Sequence, residues 1–421
     1  MNTAATLLDP EEGGDATAER YRRLMREVDR LAQSLERGDE DVPTIQRLAD
    51  ALTKSFGRQT GLSGGRLYLR EGDDFLLWST FGDAQEVRRG TRVPESYLPL
   101  RRVLDEGWVY IRSDDPSIDR ELEGRLGVDE FAAIELGGGE YLLAFDLVEP
   151  HDTDQVIFTL GLLRRTIDQQ IRTAEMTTVL REARRIQNSI VPHSVPRFGD
   201  FEIVGRIEPM EAVGGDFYDC IPLTDKIVGL ALADVSGHGL PAALQVRDIY
   251  MGLRMGTARD FKIVRTVERL NEIIHHSRGT GRFVAMFYGE LEIDGTLIFV
   301  NAGHPPPFHL RADGSIRLLE KGGTVLGPFP GATYTRGYLT MEPGDLLVAY
   351  TDGLTESSDG EPGSGEEFGL DRLVERVRDL RRLPAQEILE RVFDEVREHT
   401  QGRPQTDDRT LALVKRAAPK S

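Results

Sequence analysis

Four short segments in the C-terminal half of the chain set aspartates beside glycines or at the ends of apolar runs. They are Val213-Gly214-Gly215-Asp216-Phe217-Tyr218-Asp219, Ala233-Asp234-Val235-Ser236-Gly237-His238-Gly239, Tyr350-Thr351-Asp352-Gly353-Leu354-Thr355-Glu356 and Thr406-Asp407-Asp408-Arg409-Thr410. Asp234 and Asp352 each follow an apolar strand pattern directly, so their carboxylates are expected to project from the ends of rigid, buried elements. Taken singly, an Asp-Gly pair is an ordinary turn. Taken together, the four allow a second reading. Two unneutralised carboxylates ~4 Å apart repel by about 4 kcal/mol at an effective dielectric of 20, and a divalent cation is the natural counter-charge. All-oxygen ligands favour Mg²⁺ or Mn²⁺ over zinc, which prefers His and Cys. Spacing alone does not bring the four segments together.

The elements around them alternate between strand and helix patterns. Stretches 201–207, 227–234, 283–293, 296–301, 345–351 and 411–414 read as strands. Stretches 242–255, 263–276, 370–381 and 385–399 read as helices. Strands in groups with helices in pairs predict a sandwich rather than a simple βαβ array.

Upstream, Tyr21, Leu24, Val28, Leu31 and Leu35 form a helical seam, and a second helical stretch runs through Ile45, Leu48, Ala51 and Leu52. Strand patterns follow at 66–69, 75–79, 108–111, 131–136 and 141–147, the first two flanking the turn Glu71-Gly72-Asp73-Asp74. A long helix is expected over 154–191, stopped by Pro192 and Pro196. It has one seam through Leu160, Leu163, Ile167, Ile171 and Ala174, and another through Met176, Val179, Ala183, Ile186 and Ile190. Such a helix either packs on its own domain or serves as a coiled-coil connector in a dimer.

The four aspartate segments, in this order, resemble the metal-dependent protein phosphatases (the PPM, or type-2C, family). The similarity is greatest to the bacterial branch that regulates sporulation and stress sigma factors. Asp234–Gly239 with Leu240-Pro241-Ala242-Ala243, the Asn301-Ala302-Gly303-His304-Pro305 segment and the Gln187-Asn188-Ser189-Ile190-Val191-Pro192 approach carry that resemblance, which covers about 185–416. The order of elements over 62–147 is similar to GAF-type sensors on architecture alone. The fold class expected is α+β: a C-terminal α/β sandwich of two sheets flanked by helices, preceded by a GAF-like α+β domain and a helical linker. The divisions are 1–55 helical, 56–153 sensor, 154–196 linker and 197–417 phosphatase.

The resemblance implies two Mn²⁺ or Mg²⁺ ions held by Asp216, Asp234, the Val235 carbonyl, Asp352 and either Asp407 or Asp408. The offset to Thr410 favours Asp407. It implies phosphoserine or phosphothreonine hydrolysis by a metal-activated water. The partner would be a phosphorylated anti-sigma-factor antagonist; separately, the succession of seam, sensor-like domain and long apolar-seamed helix predicts an N-terminal regulator and a homodimer formed through the linker. His238 or His304 could protonate the leaving oxygen, although a loop-holding role suits either histidine as well.

Rival chemistries fit less well. Ser236 lacks the Gly-x-Ser-x-Gly frame of a nucleophile elbow. Cys220, the single cysteine, has no activating surroundings. A catalytically silent scaffold that only binds the partner is the alternative from another class, and the full set of acidic positions argues against it. The 71 Asp and Glu against 52 Lys and Arg, a net charge of −19, disfavour nucleic acid as a partner. With no membrane-length apolar window, no evident signal peptide and one cysteine, a cytoplasmic setting is expected.

Overall fold

The computed structural model describes Arg26 and residues 41–127, 130–192, 197–257, 262–277, 281–360 and 365–418. The expected seam Tyr21–Leu35 lies outside the described residues, as does Pro196. The chain divides into two compact units at Thr178/Val179, inside the long helix.

In the first unit, helix α1 (Asp41–Thr60) precedes a six-stranded sheet. Its strands are β1 (Leu62–Glu71), β2 (Asp74–Gly82), β3 (Arg92–Pro94), β4 (Trp108–Ile111), β5 (Phe131–Leu136) and β6 (Tyr141–Leu147). All pairings are antiparallel, in the order β3-β2-β1-β6-β5-β4. Strand alternation gives each face its own core, because successive side chains point to opposite sides. Leu67, Ile134, Leu143 and Phe145 meet Ile45 and Leu48 of α1 on one face. Tyr68, Phe75, Ala133 and Leu142 meet α2 (Leu98–Glu106) and α3 (Arg120–Leu126) on the other. The expected hairpin and the three later strands are present; β3, α2 and α3 are additional.

The long helix α4 spans Thr153–Asn188. Leu160, Leu163, Ile167 and Ile171 of its first seam are buried in the core that contains α1, whereas Ala174 is exposed. On the second seam Met176 (53%), Val179 (48%) and Ile186 (54%) are exposed.

The second unit is a four-layer sandwich. The strands that matter for the site are β7 (Phe201–Glu208), β8 (Asp216–Thr224), β9 (Ile227–Val235), β10 (Val284–Glu292), β11 (Thr296–Ala302), β16 (Leu346–Tyr350) and β17 (Arg409–Arg416). The short strands are β12 (Phe308–Leu310), β13 (Ile316–Leu318), β14 (Gly322–Gly323) and β15 (Gly337–Thr340). Together they form one sheet in the order β14-β11-β10-β9-β8, with β15 on β11, and another in the order β13-β12-β16-β17-β7. Phe287, Phe299, Leu230, Leu347 and Val414 fill the space between the sheets. Helices α5 (Gly239–Thr257) and α6 (Ile263–His276) cover the first sheet through Val246, Ile249, Leu253, Val267 and Leu270. After the short α7 (Asp352–Thr355), α8 (Leu370–Leu380) and α9 (Ala385–His399) cover the second through Leu373, Val377, Val392 and Phe393. The α+β class expected from the sequence is the one observed, with each predicted strand and helix of this unit in place.

Strand β8 is the main addition. Its Gly-Gly entry and the proline at 222 masked a strand whose first residue is Asp216.

Candidate metal centre

Asp216 and Asp234 face each other directly across the antiparallel β8–β9 pair. Like charges in that position are destabilising unless something neutralises them. Asp216 is 2% exposed. Its carboxyl is pushed well above the usual range by burial, then by Asp234 and Asp408. Two hydroxyls from the opposite sheet oppose that shift: Thr351 Oγ1 donates to Asp216 Oδ2 at 2.8 Å and Thr410 Oγ1 to the same oxygen. The two threonines are fixed to each other, Thr410 N donating to Thr351 Oγ1 at 3.0 Å and Thr351 N to Thr410 O at 3.1 Å. Asp216 therefore joins the two sheets at their polar end.

Burial, and then the charges of Asp352, Asp407 and Asp408, push Asp234 up to about 7. Asp407 is also raised, first by burial and further by Asp352 and Asp408, while the amide of Asp408 (2.8 Å to Oδ1) and His238 act the other way. Asp352 begins α7 immediately after β16, and a Cβ on Gly353 would lie 3.0 Å from the Asp407 Cβ. Two carboxylates on strands β8 and β9 and two on the segments beside β16 and β17 are thus linked by repulsion. Among the described residues, none of Asp216, Asp234, Asp352 and Asp407 forms an ion pair with Lys or Arg. Such a set is suited to hard divalent cations, which take carboxylate and carbonyl oxygens.

The two candidates at the last position differ in surroundings. Asp408 is 4% exposed, and both its oxygens accept from backbone amides: Met210 N at 2.7 Å, Gly215 N at 2.6 Å and Asp216 N at 3.3 Å. It pins the loop that leads into β8. Asp407 is exposed at the rim. Val235 is buried, and its carbonyl oxygen would stand 2.8 Å from a Cβ placed on Gly215. Only glycine allows that close approach.

The histidines separate clearly. His238 is 63% exposed, and its Nδ1 pairs with Glu211 Oε1 at 2.7 Å. Its charge acts on Asp407, so it belongs to the rim of the acidic cluster. His304 is 3% exposed inside the Asn301 turn, where His304 N donates to Asn301 Oδ1, Asn301 Nδ2 donates to His304 O, and the ring Nδ1 pairs with Pro305 O. Burial pushes it down to about 4, with no aspartate acting on it. At neutral pH it is an uncharged turn residue.

Several residues around the cluster have contacts that the sequence did not reveal. Gln187, near the end of α4, holds Gly214 at two points, Nε2 donating to Gly214 O (2.7 Å) and Oε1 accepting from Gly214 N (3.2 Å). The Gln187-Asn188 string was visible in the sequence, but its partner lies 27 residues away and no periodicity announces it. Arg282 Nη1 donates to Ser236 O at 2.8 Å, which sets a guanidinium beside the Asp234–His238 loop. The Ser236 hydroxyl accepts from Phe283 N (3.0 Å) and holds the same loop. Asp219 pairs with Arg254 at 2.8 Å, away from the cluster's charges. Cys220 is buried and its thiol is pushed up to about 12 by burial and Asp219, which excludes a reactive thiolate.

Residues 224–417 match the family described as Stage II sporulation protein E (SpoIIE). Protein IcfG of Synechocystis sp. is 28% identical over 293 residues, covering 62% of this chain and 45% of IcfG. Phosphoserine phosphatase RsbU of Bacillus subtilis is 27% identical over 254 residues, covering 60% of this chain and 72% of RsbU. The chain thus spans less than half of the first relative and about seven-tenths of the second. Among solved structures, the SiaA-PP2C domain of Pseudomonas aeruginosa aligns at a TM-score of 0.51 and 20% identity, over 58% of this chain and 98% of that domain. That likeness bears on the fold, and it agrees with the sandwich described above. The SpoIIE match falls within the C-terminal domain, and the two-sheet architecture of that domain is similar to the PP2C fold.

Proposed function

We propose that the chain is a metal-dependent protein serine/threonine phosphatase acting on a phosphorylated regulatory protein. The observation that carries this is the mutual repulsion that runs from Asp216 through Asp234 to Asp352 and Asp407, uncompensated by any Lys or Arg ion pair among the described residues. The ligands would be those four carboxylates and the Val235 carbonyl. Asp407 is preferred over Asp408, whose oxygens are already taken by backbone amides.

Two Mn²⁺ or Mg²⁺ ions there would supply an activated water and charge to offset the phosphoryl oxygens. The chain's own residues prepare the site. Thr351 and Thr410 orient Asp216, and Asp408 together with Gln187 holds the loop that presents it. Arg282 offers a cation to an arriving phosphate. His238 stands at the rim with its tautomer governed by Glu211, and it is the residue suited to give a proton to the leaving oxygen. His304, buried and neutral, keeps the Asn301 turn instead.

RsbU is named a phosphoserine phosphatase. That name supports a phosphoserine substrate; a small anti-sigma-factor antagonist as its carrier, and the first unit as a GAF-like regulator, rest on the resemblance read from the sequence. The exposed seam of Met176, Val179 and Ile186 supports a homodimer formed along α4. No helix among the described residues is long and apolar enough to cross a membrane; a cytoplasmic setting is part of the same reading. The test is release of phosphate from a phosphoserine peptide with Mn²⁺ and with EDTA. Metal-dependent release supports the assignment, and equal rates in both sink it.

A further inference from the structure

The first unit contains a second cluster of potential metal ligands, made of different chemistry. Glu130, Glu149 and His151 each offer a ligand atom within 4.8 Å of the others. Glu130 precedes β5, and Glu149 and His151 lie in the turn between β6 and α4. The His151 side chain is 2% exposed. Gly61, with φ +74°, makes room for it, since a Cβ there would come within 2.5 Å of the His151 Cβ.

The hydrogen bonds leave one ring nitrogen bare. Tyr110, on β4, donates its hydroxyl proton to Glu130 Oε1. The same hydroxyl oxygen lies 3.0 Å from His151 Nε2, so the imidazole must supply the proton of that contact. Nδ1 is then a lone pair. It is buried, has no hydrogen-bond partner and lies 3.7 Å from Glu149 Oε1. A lone pair facing a carboxylate is repulsive unless a cation sits between them. Glu149 is 74% exposed, so the position opens to solvent and water can fill remaining coordination sites.

We propose that Glu130, Glu149 and His151 bind one divalent transition-metal ion of the zinc class. The imidazole nitrogen separates this site from the all-oxygen aspartate cluster, because nitrogen with carboxylate selects zinc-like ions over Mg²⁺. Tyr110 acts from behind: it fixes the ring tautomer and the Glu130 rotamer, the usual task of groups hydrogen-bonded to metal ligands. The bound ion would tie the β4–β5 ladder to the turn that starts α4.

The experiment is equilibrium dialysis of the full chain against chelator-buffered Zn²⁺, comparing wild type, His151→Gln, Glu149→Gln and the double variant Asp234→Asn/Asp352→Asn. One Zn²⁺ equivalent should weaken at least 10-fold in both His151→Gln and Glu149→Gln and persist in the double aspartate variant. Glu149 is exposed, so its variant tests the site even if His151→Gln perturbs folding, which circular dichroism would report. Zn²⁺ binding unchanged in Glu149→Gln overturns the proposal. So does the absence of any Zn²⁺ equivalent surviving in the double aspartate variant.

Discussion

The side-chain amide of Gln187 grips both backbone polar atoms of Gly214, two residues before Asp216. The C-terminal end of α4 is thereby attached to the loop that presents a proposed metal ligand. Losing the clamp should loosen that ligand without unfolding the sandwich, because Gln187 is only half-buried. Gln187→Ala is expected to raise the Mn²⁺ concentration needed for half-maximal activity by roughly 10-fold or more, as for other groups that support metal ligands. A Mn²⁺ titration of phosphatase activity checks it, and an unchanged midpoint would remove Gln187 from the site.

The raised pKa of Asp234 makes a prediction about the metal-free protein. Its carboxyl titrates near 7 in the fold against an ordinary 3.8. The folded state therefore favours the protonated form. The stability this brings is complete below about pH 4 and is lost as pH rises toward 7. Asp234→Asn removes the charge, so the metal-free variant should be more stable than metal-free wild type at pH 7.5. After allowance for screening at the rim, the gain is roughly 1–2 kcal/mol. It should vanish near pH 4. Thermal melts in EDTA at the two pH values decide; wild type melting higher at pH 7.5 would contradict the electrostatic account.

Proton donation distinguishes the two histidines. If His238 serves the leaving group, His238→Ala should slow an alkyl phosphate or phosphoserine peptide by ~10²-fold and hardly affect an aryl phosphate, whose leaving group needs little protonation. His304→Ala should instead lower the melting temperature and reduce both substrates alike, because it removes a buried turn residue. The opposite pattern would reverse these roles.

The exposed seam of α4 gives a test of self-association. Ile190 packs against the core of the second unit, so it is a poor surface probe, whereas Ile186 is 54% exposed. Ile186→Glu should reduce the light-scattering mass toward that of one chain while circular dichroism stays unchanged. A wild-type protein that is already a monomer at micromolar concentration excludes the dimer.

How far the sequence could be read depended on the range of the interaction. Strand β9 and strand β16 were legible because runs of Leu, Val and Ala end in Asp234 and Asp352. Strand β8 was hidden: Gly214-Gly215 looks like a turn, and its strand character comes from pairing with β9. The offset to Thr410 already favoured Asp407 in the sequence, whereas the amides of Met210 and Gly215 that occupy Asp408 lie almost 200 residues away and leave no local signal. The threonine pair on Asp216 and the Gln187 clamp are equally long-range contacts, with no local signal. His304 and His238 are alike as letters in the sequence, and burial separates them.

The proposed hydrolysis depends on ions held by the aspartate cluster. The most direct measurement is turnover of a phosphoserine substrate at saturating Mn²⁺ by wild type, Asp234→Asn and Asp352→Asn, with folding checked by circular dichroism. Each substitution is expected to lower kcat by ~10²-fold or more, since each removes a ligand charge from the reacting centre. Wild-type turnover in either well-folded variant would contradict the account.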